Sequence, residues 1–424
     1  MAASFRLSNT GAFWSLAVLL CLIQSAASAP SPLYGLYQQA WHFSPIVLTT
    51  VYAANALALL VTLLFVGSLS DHVGRRPVLL AAAVIELLAM AVFVSARDVA
   101  WLTAGRILQG IATGIASGAI SAMMIDFRGA SSKVPSIVTN MSASGGIALG
   151  ALASGLLVQF GPAPTHLIFW LLLAGFAVLV VLTAVMPETV SPDGAWRTAL
   201  RPRATVPAQV RGAFLALIPS IVACWALGGL YLSLGPSIVG TLTHSQGRLI
   251  GGLVILALNG SGVTMTLLGR DWSPERCLYA GSALLITGVT AALLALATRS
   301  TALFFAGTMV AGAGFGPSFS GALRTLTGLS PAASRAQVIA AIYVVSYLAL
   351  SLPAVAAGIA VTRVGLFPTA YGYGIAVIAL TAGAAFASLR HRHRATRSRE
   401  TTPLSPHHDH PPCPGTIPPL LQHT

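Results

Sequence analysis

Apolar runs of about 20 residues recur along this chain from residue 11 to residue 389, separated by short polar segments. A run of that length, folded as a helix with a rise of about 1.5 Å per residue, crosses the hydrocarbon core of a bilayer. Charged residues make up 8% of the chain, whereas a soluble domain carries roughly 25%. The chain is therefore predicted to be an all-α polytopic membrane protein.

Twelve runs are predicted to be membrane helices. The first six cover residues 11–31, 45–67, 78–96, 100–124, 135–159 and 166–186. After a polar stretch from Pro187 to Arg211, six more cover residues 213–235, 248–269, 277–297, 301–322, 336–360 and 367–389. This order predicts two six-helix bundles, over residues 1–190 and 212–390, joined by a cytoplasmic linker over residues 191–211.

The N-terminus has two interpretations. Arg6, the apolar run Phe13–Ile23 and the small residues before Pro30 are similar to a secretory signal peptide. Because eleven further apolar runs follow, we expect a retained first membrane helix instead.

The segment 391–424 is basic at first and then rich in proline and histidine, so it is expected to be a disordered cytoplasmic tail. The tail holds a group that could bind a metal ion: His407, His408, Asp409, His410 and Cys413. A solvated tail is the expected state. No metal site and no cofactor is therefore predicted for the chain.

The basic residues are divided unevenly between the two sides of the predicted bundle. Twelve crossings place both termini on one side, which carries 18 of the 23 Lys and Arg residues, while the other side carries 4 and Arg106 lies within a helix. Since Lys and Arg are retained in the cytoplasm, both termini are expected to be cytoplasmic. The net charge of +13 is spread over loops, which argues against nucleic-acid binding.

Glycine and charge are concentrated in the loop between predicted helices 2 and 3, which reads Gly-Ser-Leu-Ser-Asp-His-Val-Gly-Arg-Arg-Pro. The loop resembles the best-known motif of the major facilitator superfamily, carried here by Gly67, Asp71, Gly74, Arg75 and Arg76. Two further segments are similar to that family over residues 11–390: Arg106, Gln109 and Gly110 in helix 4, and Pro187-Glu188-Thr189 after helix 6.

The resemblance implies a secondary transporter that moves a small organic solute by alternating access, in a bacterial inner membrane and as a monomer. A proton is the expected coupling ion, and efflux is preferred over uptake of a metabolite. Helix 5 departs from many drug/proton antiporters because its glycines are not followed by proline. The alternative from another class is a transport-inactive sensor or scaffold. No ATP-binding loop and no enzyme site is apparent.

The motif loop is expected to act as a gating latch. On the resemblance, Asp71 would lie at the N-terminus of helix 11, near Arg335, where the helix dipole and free amides stabilise an anion. This contact would hold the halves together on the cytoplasmic side while the cavity faces outward. Arg75 would pair with Asp126 at the end of helix 4. The latch residues are Gly67, Asp71, Gly74, Arg75, Arg76 and Asp126.

Two charged residues fall within predicted spans, where ionisable groups are costly and are functional candidates. Arg106 is a candidate for contact with an anionic substrate group or with a proton site, unless it pairs structurally with a carbonyl or carboxylate. Glu86 is a candidate carrier of the coupling proton, unless it only faces a neighbouring helix.

Polar and aromatic residues in the helices that the family uses for its cavity are candidates for substrate contact. They are Gln24, Asn55, Asn140, Trp225, Tyr231, Asn259, Ser318, Tyr343 and Tyr347.

Overall fold

The computed structural model describes residues 6–129, 132, 134–192, 205–243, 249–331 and 334–400, with side chains described up to residue 387 except at residue 336. Most of the predicted linker, with Asp193, Arg197, Arg201 and Arg203, lies outside the described residues, as does the His407–Cys413 group of the tail. The predicted tail begins at residue 391, whereas the last helix extends to Glu400.

Twelve long helices follow one another through the described chain, and no strand occurs within it. The first six are α1 (Asn9–Ser28), α2 (Pro45–Val66), α3 (Arg75–Val94), α4 (Val99–Arg128), α5 (Val134–Phe160) and α6 (Leu167–Ala184). The second six are α7 (Ala208–Ser233), α8 (Leu249–Leu268), α9 (Pro274–Thr298), α10 (Thr301–Leu329), α11 (Arg335–Val364) and α12 (Leu366–Glu400). The prediction of an all-α fold with twelve spans is confirmed.

Large apolar side chains cover the outer surface of the bundle. Trp14 is 53% exposed, Trp170 54% and Val181 63%. In water such a surface would be costly, because apolar area is stabilised by removal from water. In hydrocarbon it costs little, which agrees with helices whose length and composition suit a membrane.

The first span is longer than predicted and is broken in the middle. α1 ends at Ser28, a short 3-10 turn covers Ser31–Leu33, and a second helix, Tyr34–Trp41, completes a span of 33 residues. The break contains Pro30 and Pro32, which have no backbone N–H and cannot continue the hydrogen-bond ladder. The carbonyl groups four residues before each proline therefore need other donors.

The two sets of six helices repeat the same packing. α4 packs between α2 and α3, and α10 packs in the same way between α8 and α9. The pairs α1–α5 and α3–α6 recur as α7–α11 and α9–α12. We call residues 9–184 the first half and residues 208–387 the second half.

The halves meet along two helix pairs, α5 with α8 and α2 with α11. Small residues let these backbones approach closely. A Cβ atom on Gly252 of α8 would overlap the Ala151 carbonyl of α5, and one on Gly358 of α11 would overlap Thr49 of α2. These contacts lie at the end of the bundle opposite the Gly67–Arg76 loop. We call that end the far end, and the end with the loop the motif end.

The close approach of Gly358 to Thr49 predicts that a larger side chain at residue 358 separates the two halves at the far end. Gly358→Val is expected to force the halves apart at the far end, since the valine side chain cannot fit against Thr49. Spin labels on cysteines introduced at His42 and Arg363, in a background without the native cysteines, should show longer distances by electron paramagnetic resonance.

The matched control is Gly372→Val, because no described atom beyond its own helix backbone and chain neighbours lies within 4 Å of the position that a Cβ on Gly372 would occupy. Equal distance distributions in the two variants would show that the far-end contact does not set the conformation.

Candidate functional site

A buried polar cluster surrounds the break in the first span. Arg106 of α4 is 1% exposed, and its Nε and Nη2 atoms donate to the Tyr34 hydroxyl at 2.9 and 2.5 Å. Its Nη1 atom donates to the Ala27 carbonyl at 2.6 Å and to Gln109 Oε1 at 3.1 Å. A guanidinium group presents several donors in one plane, so one side chain holds groups from both sides of the break.

Gln109 replaces a donor that the backbone lacks. In an unbroken helix the Ala26 carbonyl would accept from residue 30, but Pro30 has no N–H. Gln109 Nε2 donates to that carbonyl at 2.9 Å. On the other side of α1, Ser154 of α5 donates to the Ala29 carbonyl at 2.6 Å.

Glu86 of α3 lies beside this cluster and is 0% exposed. Arg106 and Thr113 of α4 are polar neighbours of Glu86. The Thr113 hydroxyl nevertheless donates to the Gln109 carbonyl at 2.8 Å, and neither Glu86 oxygen has a hydrogen-bond partner among the described residues. An unsatisfied buried carboxyl group is costly and is a functional candidate.

The motif loop is held by Glu188, just after α6. Its Oε1 atom accepts from the Arg75 backbone N–H at 2.9 Å, and its Oε2 atom accepts from that of Arg76 at 3.0 Å. These N–H groups begin α3, where a carboxylate satisfies free amides and favours the helix dipole. Gly74 has a φ of 106°, and a Cβ there would crowd the carboxylate, so glycine suits this position.

Arg75 joins the loop to α4. Its Nη1 atom lies 2.8 Å from Asp126 Oδ2, and its Nη2 atom lies 3.6 Å from Asp71 Oδ1. Because the Nη1 atom does not meet the angles of a hydrogen bond, the contact with Asp126 is an ion pair rather than an aligned hydrogen bond.

Four aromatic side chains of the second half form a cluster. The Trp225 ring of α7 lies 5.1 Å from that of Tyr347 of α11 and 5.4 Å from that of Phe319 of α10, edge to face in both cases. The Tyr343 and Tyr347 rings stack at 6.1 Å. We call Trp225, Phe319, Tyr343 and Tyr347 the aromatic cage.

The sequence profile of the Major Facilitator Superfamily matches residues 16–354, which is most of the chain. The chain belongs to the Major Facilitator Superfamily. As a family member it is a transporter rather than an enzyme. A comparison with curated protein sequences finds no significant match.

Solved transporters share this fold. A variant of the nucleoside transporter NupG is 14% identical, with a TM-score of 0.71 over 89% of this chain and 99% of that one. A bacterial homologue of the human lysosomal transporter Spinster is 13% identical, with a TM-score of 0.71 over 90% and 97%. A variant of the peptide transporter POT is 14% identical, with a TM-score of 0.72 over 89% and 94%. At such identities the likeness shows the fold alone.

Among the described residues, Asp71 does not make the latch contact that the superfamily motif led us to expect. The Asp71 side chain is 57% exposed, and its ion pair within the described chain is with Arg75 of its own loop, not with the N-terminus of α11. The physical reason is the position of the two halves, whose close glycine contacts are at the far end.

Two predicted cavity residues, Tyr231 and Ser318, face the interior of the second half in this structure. The Tyr231 hydroxyl lies 2.9 Å from Thr308 Oγ1, beside a cavity of about 30 Å³ lined only by second-half residues. Ser318 is 0% exposed and lies against Gly281 of α9.

The other predicted residues lie in several places. Gln24 packs against Gly146 of α5, and Asn55 donates to the Arg106 carbonyl at 3.3 Å. Asn140 is exposed and Asn259 half-buried, and each donates to a carbonyl of its own helix. No group of three metal-ligating side chains occurs in the part of the chain that the structure describes.

Glu188 provides a test of how the loop is held. Glu188→Ala removes the acceptor for two N–H groups at the start of α3, so stability should fall by about 1 kcal/mol, the usual cost of a lost helix cap. The change should appear as a lower Tm in a thermal unfolding scan.

The control for that scan is Thr189→Ala, because the Thr189 hydroxyl makes no hydrogen bond within the described residues. A Tm that falls as much in Thr189→Ala as in Glu188→Ala would contradict the capping role of Glu188.

Proposed function

We propose that this protein is a proton-coupled secondary transporter that moves a small organic solute across a bacterial inner membrane by alternating access, with efflux as the preferred direction. The observation that carries the proposal is the arrangement of the halves. Two equivalent six-helix units meet along α5–α8 and α2–α11, with their tightest glycine contacts at one end. Rocking of such units about a central site is the physical basis of alternating access.

The charge distribution supports an orientation. On the positive-inside rule, the motif end and both termini lie in the cytoplasm. The far end, where the halves are in close contact, then faces outward. In this orientation the structure represents the state that is closed to the outside.

Glu86 is the proposed proton carrier. A buried carboxyl group costs far less free energy when it is protonated than when it is ionised. Arg106 lies nearby as a full positive charge, and its hydrogen-bond acceptors are neutral groups. Release of the proton from Glu86 would leave a carboxylate that attracts Arg106. Such a movement would loosen the contacts of Arg106 with Tyr34 and Ala27, and so would couple proton release to the break in the first span.

The motif loop is the proposed latch for the opposite state. Asp71 is exposed at the motif end in this structure. If the halves close at that end, the N-terminus of α11 becomes a favourable partner for its carboxylate, by about 0.3–1 kcal/mol when exposed. Arg75 and Glu188 hold the loop in place in both states.

The test is accumulation of candidate solutes in membrane vesicles that contain the protein. Efflux predicts accumulation in everted vesicles with an acidic lumen, because protons leave as the solute enters. An uptake permease predicts accumulation in right-side-out vesicles with acid outside. If no solute in a broad panel responds to the gradient in either orientation, proton-coupled transport is wrong.

Glu86→Gln distinguishes the coupling of transport to protons from the conformational change that moves the solute. The variant should lose gradient-driven accumulation to the level of vesicles without protein, because the glutamine amide does not ionise and so cannot take up or release the coupling proton. It should retain exchange of labelled for unlabelled solute, which needs only the change of conformation. Asp98→Asn is the control, since Asp98 is an exposed helix cap and asparagine also caps helices. Normal gradient-driven accumulation in Glu86→Gln would contradict the proposal.

A further inference from the structure

The aromatic cage lies in the second half, next to the boundary with the first. α11, which carries Tyr343 and Tyr347, packs along α2 of the first half. α2 also carries Tyr52, whose ring lies 5.8 Å from the Arg106 guanidinium. The cage therefore adjoins both the surface along which the halves would rock and the buried polar cluster.

The cage contains a donor without an acceptor. The Trp225 Nε1 atom is buried and makes no hydrogen bond within the described chain. Buried indole N–H groups usually have a partner, because an unpaired buried donor costs about 1–3 kcal/mol. Neither the Tyr343 nor the Tyr347 hydroxyl accepts from Trp225 Nε1, so a ligand with an acceptor at its edge would satisfy this group.

Charge near the cage selects against ions. Within the described spans, two charged side chains lie deep in the membrane, more than six residues from either end of their span: Arg106 and Glu86. Both are at most 1% exposed. Aromatic faces also attract cations. Here, however, the exposed carboxylates of those spans, Asp126 and Glu275, lie within two residues of a span end, and Arg106 adds positive potential beyond Tyr52.

We propose that the aromatic cage binds the transported solute, and that this solute is an uncharged, planar aromatic compound with a hydrogen-bond acceptor at its edge. Its ring packs edge to face or offset against Trp225, Phe319 and Tyr347, the arrangements that aromatic pairs prefer. Its acceptor takes the Trp225 N–H. The assignment of this ligand to transport rests on the proposed function, whereas its binding to the cage does not.

The test measures binding by equilibrium dialysis against the purified full-length protein. The probe is coumarin, which is uncharged, planar and carries a carbonyl acceptor. Benzyltrimethylammonium provides an aromatic cation for comparison, and cyclohexanone an acceptor without an aromatic ring. Coumarin is expected to bind more tightly than either.

Two variants examine the cage itself. Trp225→Phe keeps a ring but removes the N–H, so the affinity for coumarin should fall by about two- to tenfold, the effect of one neutral hydrogen bond. Tyr347→Leu removes a ring and should weaken binding by a similar factor or more. The control is Trp170→Phe on the outer surface of α6, where Trp170 is 54% exposed, and its affinity should be unchanged.

Several results would contradict the proposal that the aromatic cage binds this solute. They are no coumarin binding at millimolar concentration, equal affinities in the wild type and both cage variants, or binding of benzyltrimethylammonium at least as tight as that of coumarin. The vesicle experiment distinguishes the proposal of transport from the proposal of binding at the cage. Coumarin binding that depends on the cage, without transport of any solute, would contradict only the transport function. Gradient-driven transport that is unchanged in Trp225→Phe and Tyr347→Leu would contradict only the binding of the solute at the cage.

Discussion

The contact between Arg106 and the broken first span is the interaction on which the rest of the site depends. A membrane interior supplies no water to backbone groups, so a helix broken by Pro30 and Pro32 must find its partners inside the protein. Arg106 and Gln109 supply donors from α4, and Ser154 supplies one from α5. The break thus ties α1, α4 and α5 into one unit, and it brings Tyr34 within reach of the guanidinium group.

The two halves carry different chemistry in the same architecture. Both buried charged residues and the motif loop belong to the first half, while the aromatic cage belongs to the second. α2 connects them, since its Tyr52 ring lies 5.8 Å from the Arg106 guanidinium and the helix packs against α11, which carries Tyr347. On the proposed function, a proton acts in one half and the solute binds mainly to the other. The rocking interface is then the element through which each would influence the other.

Much of the fold follows from local features of the sequence. The length of the apolar runs determines the number of helices, and the glycines and charges of residues 67–76 identify the superfamily loop. The break in the first span was missed, because prolines near the end of an apolar run are typical of a helix terminus. Tyr34 was missed for the same reason, since it lies beyond that apparent end. The sequence did not indicate that Tyr231 and Ser318 face the interior of the second half, because an almost wholly apolar helix gives no pattern that distinguishes its inward face from its other faces. The partner of Asp71 depends on the relative position of the halves, which no local pattern encodes.

The most direct test of this account is the thermal stability of Arg106→Lys. Lysine keeps the positive charge but is a compact ammonium group that cannot hold Tyr34, Ala27 and Gln109 together. Loss of charged hydrogen bonds, worth about 1.5–3 kcal/mol each, should lower the Tm clearly. Arg363→Lys, at an exposed position near the end of α11, should leave the Tm unchanged. An equal Tm in both variants would contradict the claim that the guanidinium group of Arg106 holds the broken span.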